Sequence, residues 1–304
     1  MKYGAIIKEI GRGAKGARDL DTAAAAALFG DILDGAVPEL ELGAILIAFR
    51  IKSEALPELL GFKQAMDART AQLAVPEGPR CVVLPTYNGA RRQANLMPLV
   101  ALLLAREGVP VLIQGRHDFE TRVSPFELLA ALDLQPAADA AVASAQLAQR
   151  HIACVGVDKL LPGLDPLLAL RLRMGVRASG HTMAKLIDPC RGRSVRVVAV
   201  THPEYLERMD DFLRADGGRA MLMRGTEGEI YANPRRCPEM KVYVDGAASV
   251  GVAGEEGGAP PLAGLPDAPS VAENATLIRA MLAGKAPVPG AILKQVAALR
   301  ALAA

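Results

Sequence analysis

The sequence predicts an α/β protein in which a small helical N-terminal domain precedes a larger α/β domain with a mainly parallel sheet. Three observations carry this. Residues 1–73 hold only helical periodicities. Pro76-Glu77-Gly78-Pro79 reads as a hinge. From Arg80 onward short β-rich runs alternate with helical stretches. With 304 residues and 51% hydrophobic content, the chain can bury one large core or two domains.

Taken in order, Ile6, Ile7 and Ile10 recur at helical spacing. Asp21-Thr22 then precede a run of strong helix formers, 23–33, that ends near Gly35. Leu42, Ile45, Leu46 and Phe49 mark the next helix. Ser53 is the expected N-cap of a further one, with Leu56, Leu59, Leu60 and Met66 on its apolar side. The β-rich runs are 81–84, 109–113, 152–155, 195–200, 220–223 and 242–244, with an apolar helix over 99–105. Residues 164–186 read as helical again and are expected to return to the first domain. The expected small domain is therefore 1–75 with return helices at about 164–186, and the large domain is 80–163 with 187–304. Residues 246–270, rich in glycine, proline and alanine, read as a long loop before closing helices at 273–283 and 290–302.

The turn from Pro85 to Pro98 is the most informative stretch. A strand-to-helix turn in an α/β protein is where backbone N–H groups receive a phosphate, and close approach favours several glycines. Here only Gly89 remains, among Tyr87, Asn88, Arg91 and Arg92. A second glycine-rich stretch, Gly11-Arg12-Gly13-Ala14-Lys15-Gly16, spells G-x-G-x-x-G. That fingerprint requires a preceding strand, and the isoleucines before it have helical spacing. It reads either as a helix end or as a basic arm in which Lys8, Arg12, Lys15 and Arg18 meet nucleic-acid phosphates.

The 85–98 turn resembles that of anthranilate phosphoribosyltransferase and of glycosyltransferase family 3, which includes nucleoside phosphorylases. The family's Gly-Thr-Gly-Gly-Asp-Gly and following Asn-x-Ser-Thr fall here in register. Thr86 and Asn95 are kept; Pro85, Tyr87, Asn88 and Ala90 replace glycines, Gly89 replaces the aspartate, and Met97-Pro98 replace Ser-Thr. The resemblance covers roughly residues 20–245 and is closer to the YbiB-type paralogue group. It implies a nucleoside phosphorylase/phosphoribosyltransferase-like fold with a ligand cleft between the domains, dimerisation through the small domain, and nucleic-acid binding in place of transfer. The family's Lys-His-Gly-Asn-Arg falls on 113–117 with only Gly115 kept, beside Arg116. Its Asp-Glu metal pair falls within Glu227-Gly228-Glu229-Ile230-Tyr231, and an isoleucine and a tyrosine do not hold Mg²⁺. Its aromatic-acid arginine falls on Arg171, which survives. Thr86, Asn88, Gly89, Asn95, Gly115 and Arg116 are thus expected to line a degenerate cleft. With metal ligands and phosphate turn altered, no efficient phosphoribosyl transfer is expected, and no cofactor.

Charge supplies the positive indication. The net charge is only +2, but residues 171–196 carry Arg171, Arg173, Arg177, Lys185, Arg191, Arg193 and Arg196 against Asp188 alone. Arg173 and Arg177 are expected on one helix face. Arginine's planar fork suits phosphate. Arg91, Arg92, Arg116 and Arg122 at strand ends are expected to extend the surface. Aromatic content is 4% with no tryptophan, which argues against base-stacking platforms. His117, His151, His181 and His202 lack carboxylate or cysteine partners at ligand spacing and read as satisfied polar residues. Four scattered cysteines read as buried free thiols, and no long apolar segment is present. The sequence therefore points to a cytoplasmic homodimer that binds DNA or RNA backbone, with no membrane association. A divergent transferase or phosphorylase is the alternative, and a protein-binding regulatory module a third reading.

Overall fold

The computed structural model describes residues 2–13, 15–117 and 121–304. The chain divides into two units, 1–71 with 157–187, and 72–156 with 188–304. The first is helical. It contains α1 (Lys2–Ile10), α2 (Thr22–Leu33), α3 (Glu39–Lys52) and α4 (Leu56–Asp67), then short helical pieces from Val157–Leu160 to Ser179–Met183. Asp21 caps α2 by accepting the Ala24 N–H at 2.7 Å. Phe29 stacks on Phe62 at 4.5 Å, and Phe49 meets Phe62 edge-on at 5.2 Å, so three helices share one aromatic centre. Ser53 is not the cap of α4. It ends α3 at φ +68, Ala55 occupies the N-cap, and the Glu58 carboxylate accepts the Ala55 N–H at 2.8 Å. Arg173 and Arg177 do not share a helix face, because that helix ends at Met174 on left-handed Gly175.

The second unit is built on a seven-stranded sheet: β1 (Cys81–Thr86), β2 (Val111–Gly115), β3 (Ile152–Gly156), β4 (Ser194–Val200), β5 (Arg219–Arg224), β6 (Met240–Val244) and β7 (Ala247–Val252). Spatial order is β3-β2-β1-β4-β5-β6-β7; the first five are parallel, and β6 and β7 add an antiparallel edge. β1 to β5 are almost wholly buried apolar runs, as a sheet covered on both faces requires. Helices such as Met97–Arg106 and Pro203–Asp216 make the crossovers, and Val271–Leu282 and Gly290–Ala303 close the layer. β7 falls in the stretch read as loop. Its residues are mostly exposed and small, so it shows no buried alternation.

The strand order places a topological switch between β1 and β4: the chain winds outward to β3 on one side and to β5 on the other. The carboxyl ends of strands at such a switch are where open α/β sheets take ligands. Among the described residues, no helix is long and apolar enough to cross a membrane.

Candidate functional site

At the carboxyl end of β1 the chain turns through Tyr87 to Gln93 before the helix Met97–Arg106. A tight two-residue hairpin after β5 meets it. Thr226 and Glu229 exchange backbone hydrogen bonds at 3.0 and 2.9 Å, and the central Glu227 and Gly228 sit at φ +53 and +92, the sense of a type I′ turn. A Cβ on Gly228 would lie 2.6 Å from the Asn88 amide nitrogen, so glycine is needed for both conformation and approach.

The hairpin delivers two carboxylates onto the turn. Glu229, fully buried, accepts the Asn88 and Gly89 N–H groups on Oε1 at 2.9 and 2.8 Å, and the Thr86 hydroxyl on Oε2 at 2.8 Å. Glu227, half-buried, accepts the N–H groups of Arg91, Arg92 and Gln93 at 3.2, 3.0 and 3.2 Å. Asn88 Nδ2 donates to the Gly228 carbonyl at 2.8 Å. Tyr231 donates its hydroxyl to the Ala94 carbonyl at 3.0 Å. Burial first, then Glu227 and Glu229, push its phenol well above the ordinary value, so it remains a donor.

The expected cleft residues are therefore brought together, with most of their polar groups taken by other residues of the chain, Glu229 above all. Thr86, Asn88, Gly89 and Asn95 are buried, and Asn95 Nδ2 donates to the Val123 carbonyl at 3.1 Å while its Oδ1 accepts the Met97 N–H. Gly115 marks a close approach of backbones: a Cβ there would lie 1.8 Å from the Thr86 carbonyl oxygen, which accepts the Arg116 N–H at 3.1 Å. Glu229 is fully buried, and the reach of both glutamates onto the turn, across 134 to 143 residues of chain, is what sequence reasoning missed.

The basic residues do not behave as one set. Arg196 is buried, ion-paired with Asp216 and bonded to the Gly217 carbonyl, so it is a structural residue rather than a surface contact. Arg173 forks onto Glu39 at 3.1 and 3.2 Å, and that pairing holds the Glu39 carboxyl below its usual range. Asp188, expected as the lone nearby acid, instead accepts from Ser194 and the Cys190 N–H. Lys8, Arg12, Lys15 and Arg18 are all exposed, and Arg12 and Arg18 pair with Glu9 at 2.7 and 3.7 Å. These four follow or end a helix, so no strand precedes the glycine-rich stretch, whose Ala14 lies outside the described residues. Arg193 bonds the Pro76 and Gly78 carbonyls. Arg171, Arg177, Lys185 and Arg116 are half-buried and engaged with other groups, and Arg191 is exposed but also engaged. The series 171–196 is split between the two units. Arg91 and Arg92 stand apart: both are exposed, and among the described residues neither guanidinium has an ion pair.

His117 lies 3.7 Å from Glu127, a carboxylate its sequence neighbourhood did not offer, and His151 Nδ1 is buried without a partner among the described residues rather than satisfied. All four cysteines are free and buried.

Comparison with known proteins now gives the class. The glycosyl transferase family helical bundle domain matches residues 5–70. The solved anthranilate phosphoribosyltransferase of Thermus thermophilus superposes with a TM-score of 0.77 at 22% identity, covering 98% of this chain and 87% of that one. The Saccharomyces cerevisiae enzyme, in complex with PRPP and Mg, gives 0.75 at 13%, covering 99% and 88%. The chain belongs to glycosyltransferase family 3, the anthranilate phosphoribosyltransferase-like proteins. Within it, the chain is 43% identical over 299 residues to the uncharacterized protein YbiB of Escherichia coli, covering 98% of this chain and 93% of that protein. It is 28% identical over 210 residues to the anthranilate phosphoribosyltransferase of Methylobacterium radiotolerans, covering 69% and 60%.

These relatives overturn the expectation that the chain is not an enzyme. Those with a stated activity are anthranilate phosphoribosyltransferases, and the more similar YbiB is uncharacterized, so degraded motifs are no proof of lost activity. The residues present do not, as arranged, fit the family's magnesium: Ile230 is buried and apolar, Tyr231 is spent on Ala94, and both glutamates are engaged by N–H donors that a cation would repel.

Proposed function

We propose that the protein binds the backbone of DNA or RNA without strong sequence preference. One observation carries this reading. At the ligand end of the sheet, the turn's backbone N–H groups are taken by Glu227 and Glu229, while the adjacent guanidinium groups of Arg91 and Arg92 face solvent. Phosphate recognition there falls to side chains, which suit a polymer running past the surface. Arg191, in the same unit, is a further exposed cation, and the helical unit separately exposes Lys8 and Lys15. The driving force is release of counterions condensed on the polyanion. With about six phosphate contacts the log–log dependence of affinity on salt should have a slope of roughly −5. Gel-shift titrations at several salt concentrations, with single- and double-stranded competitors, test it; a slope near zero contradicts it.

Homodimerisation extends such a surface. α3 exposes Leu40, Ile47 and Ile51 on one side, at 83, 39 and 63%. Spacings of seven and four residues make this an apolar stripe suited to a second copy. Light scattering on the wild type and on Ile51→Glu checks it: a dimer converted to monomer is the expected result.

A second reading is favoured by the relatives' activity: a divergent transferase or phosphorylase acting on a phosphorylated ribose and a base. Phosphoribosyl pyrophosphate with Mg²⁺ would then raise the melting temperature, by about 2.7 kcal/mol of stabilisation at a hundredfold excess over Kd. No shift and no turnover would remove it.

A further inference from the structure

The turn after β1 has an anion cradle's backbone, and its occupant is part of the chain. Two consecutive N–H groups, Asn88 and Gly89, converge on one oxygen of Glu229. Two more, Arg92 and Gln93, converge on one oxygen of Glu227, with Arg91 on the other. Successive N–H groups converging on a point form the concavity that receives oxyanions, here with left-handed Gly89 at φ +67. A carboxylate and a phosphate oxygen present the same thing to such donors: a charged acceptor.

We infer that the Glu227-Gly228-Glu229 hairpin is a built-in anion, a latch that holds the turn's N–H groups in place of an external oxyanion, which must displace it to bind. The inference starts from the same contacts as the proposed function but does not require that a polynucleotide binds. The hairpin is shaped for the task. Its two-residue type I′ turn projects both carboxylates to the same side, and Gly228 locks against Asn88. The two halves differ in depth. Glu229 is fully buried and anchored by Thr86. Glu227 is half-buried at the edge of a cavity of about 790 Å³, whose wall is of mixed charge, with Arg224 and Arg236 beside Asp211 and Glu239, and with Lys241 paired to Asp210. Glu227 is the more accessible of the two, so the shallow carboxylate gives way first.

The probe is inorganic pyrophosphate without metal, followed by calorimetry and by amide resonances. Wild type should bind it weakly. Glu227→Ala should bind roughly tenfold or more tightly, since charge-assisted N–H donors are freed, with shifts at the amides of Arg91, Arg92 and Gln93. Glu229→Ala should tighten binding as well, with shifts at Asn88 and Gly89. Binding to surface arginines is common to all three proteins and cancels in the comparison. Equal affinity across the set, or tighter binding without shifts at these amides, overturns the latch. Should Glu229→Ala prove unfolded, Glu227→Ala alone decides by the same two readouts.

Discussion

Two buried glutamates, one in each unit, do similar things to opposite ends. Glu58 in the helical unit accepts the N–H groups of Leu20 and Ala55, both at 2.8 Å, and pairs with the Lys52 ammonium at 2.7 Å. Glu229 in the α/β unit accepts two backbone N–H groups and a hydroxyl. Both satisfy donors that would otherwise be orphaned in a dry interior, where an unmade bond is costly. Glu58 ties a loop to a helix start away from any strand end. Glu229 does so at the switch point of a parallel sheet, where donors exist to be given to a ligand. The same chemistry is stability in one place and occupancy in the other.

Substitutions put that contrast to the test. Glu58→Ala should cost the most, about 3 kcal/mol in urea unfolding, because the Leu20 and Ala55 N–H groups lose their acceptor and Lys52, 7% exposed, keeps only the exposed Asp19. Its pyrophosphate affinity should stay at the wild-type level; a gain would erase the distinction between the two glutamates. Gly228→Ala should cost about 2 kcal/mol from backbone strain, and should bind pyrophosphate more tightly because the hairpin can no longer seat. Thr86→Val removes one neutral donor to Glu229 and should cost about 1 kcal/mol.

A smaller effect concerns Asp210, beside the cavity. Burial alone would raise its carboxyl, but hydrogen bonds from Tyr243, Arg214 and Lys241 outweigh it and hold it below the ordinary value. A depressed folded-state value means that this contribution is complete above the ordinary aspartate range and is lost as pH falls through the depressed value. Asp210→Asn should therefore flatten the acid limb of the stability profile, read from thermal midpoints between neutral and strongly acid pH. Last, Arg91→Ala with Arg92→Ala should leave stability within about 0.5 kcal/mol, yet make the salt slope of DNA binding shallower by roughly 2. An unchanged slope would take the turn out of the proposed interface.

How much of this is legible in the sequence differs by element. β1 to β5 are readable as apolar runs because both faces of a parallel sheet are covered, so burial writes itself into composition. β7 is not: an exposed antiparallel edge of Ala, Ser, Val and Gly carries no such signature. The Asp21 cap is readable because cap and helix are adjacent, whereas the end of α3 turns on Ser53 adopting a positive φ, which no local pattern demands. Arg196 lies within a basic run, and its charge suggests a surface. Its place inside β4, facing Asp216, makes it interior.

Local sequence settles the fold class, the turn after β1 as the place to look, and the replacement of the glycines there. These are consequences of periodicity and of residue type at consecutive positions. What fills the turn, and which arginines remain exposed, is decided by three-dimensional packing alone. Glu227 and Glu229 reach Thr86 to Gln93 from well over a hundred residues away, and an arginine's freedom depends on which carboxylate the fold brings beside it. Such pairings follow from strand order and hairpin geometry, which set distances between remote residues and leave no mark in either neighbourhood.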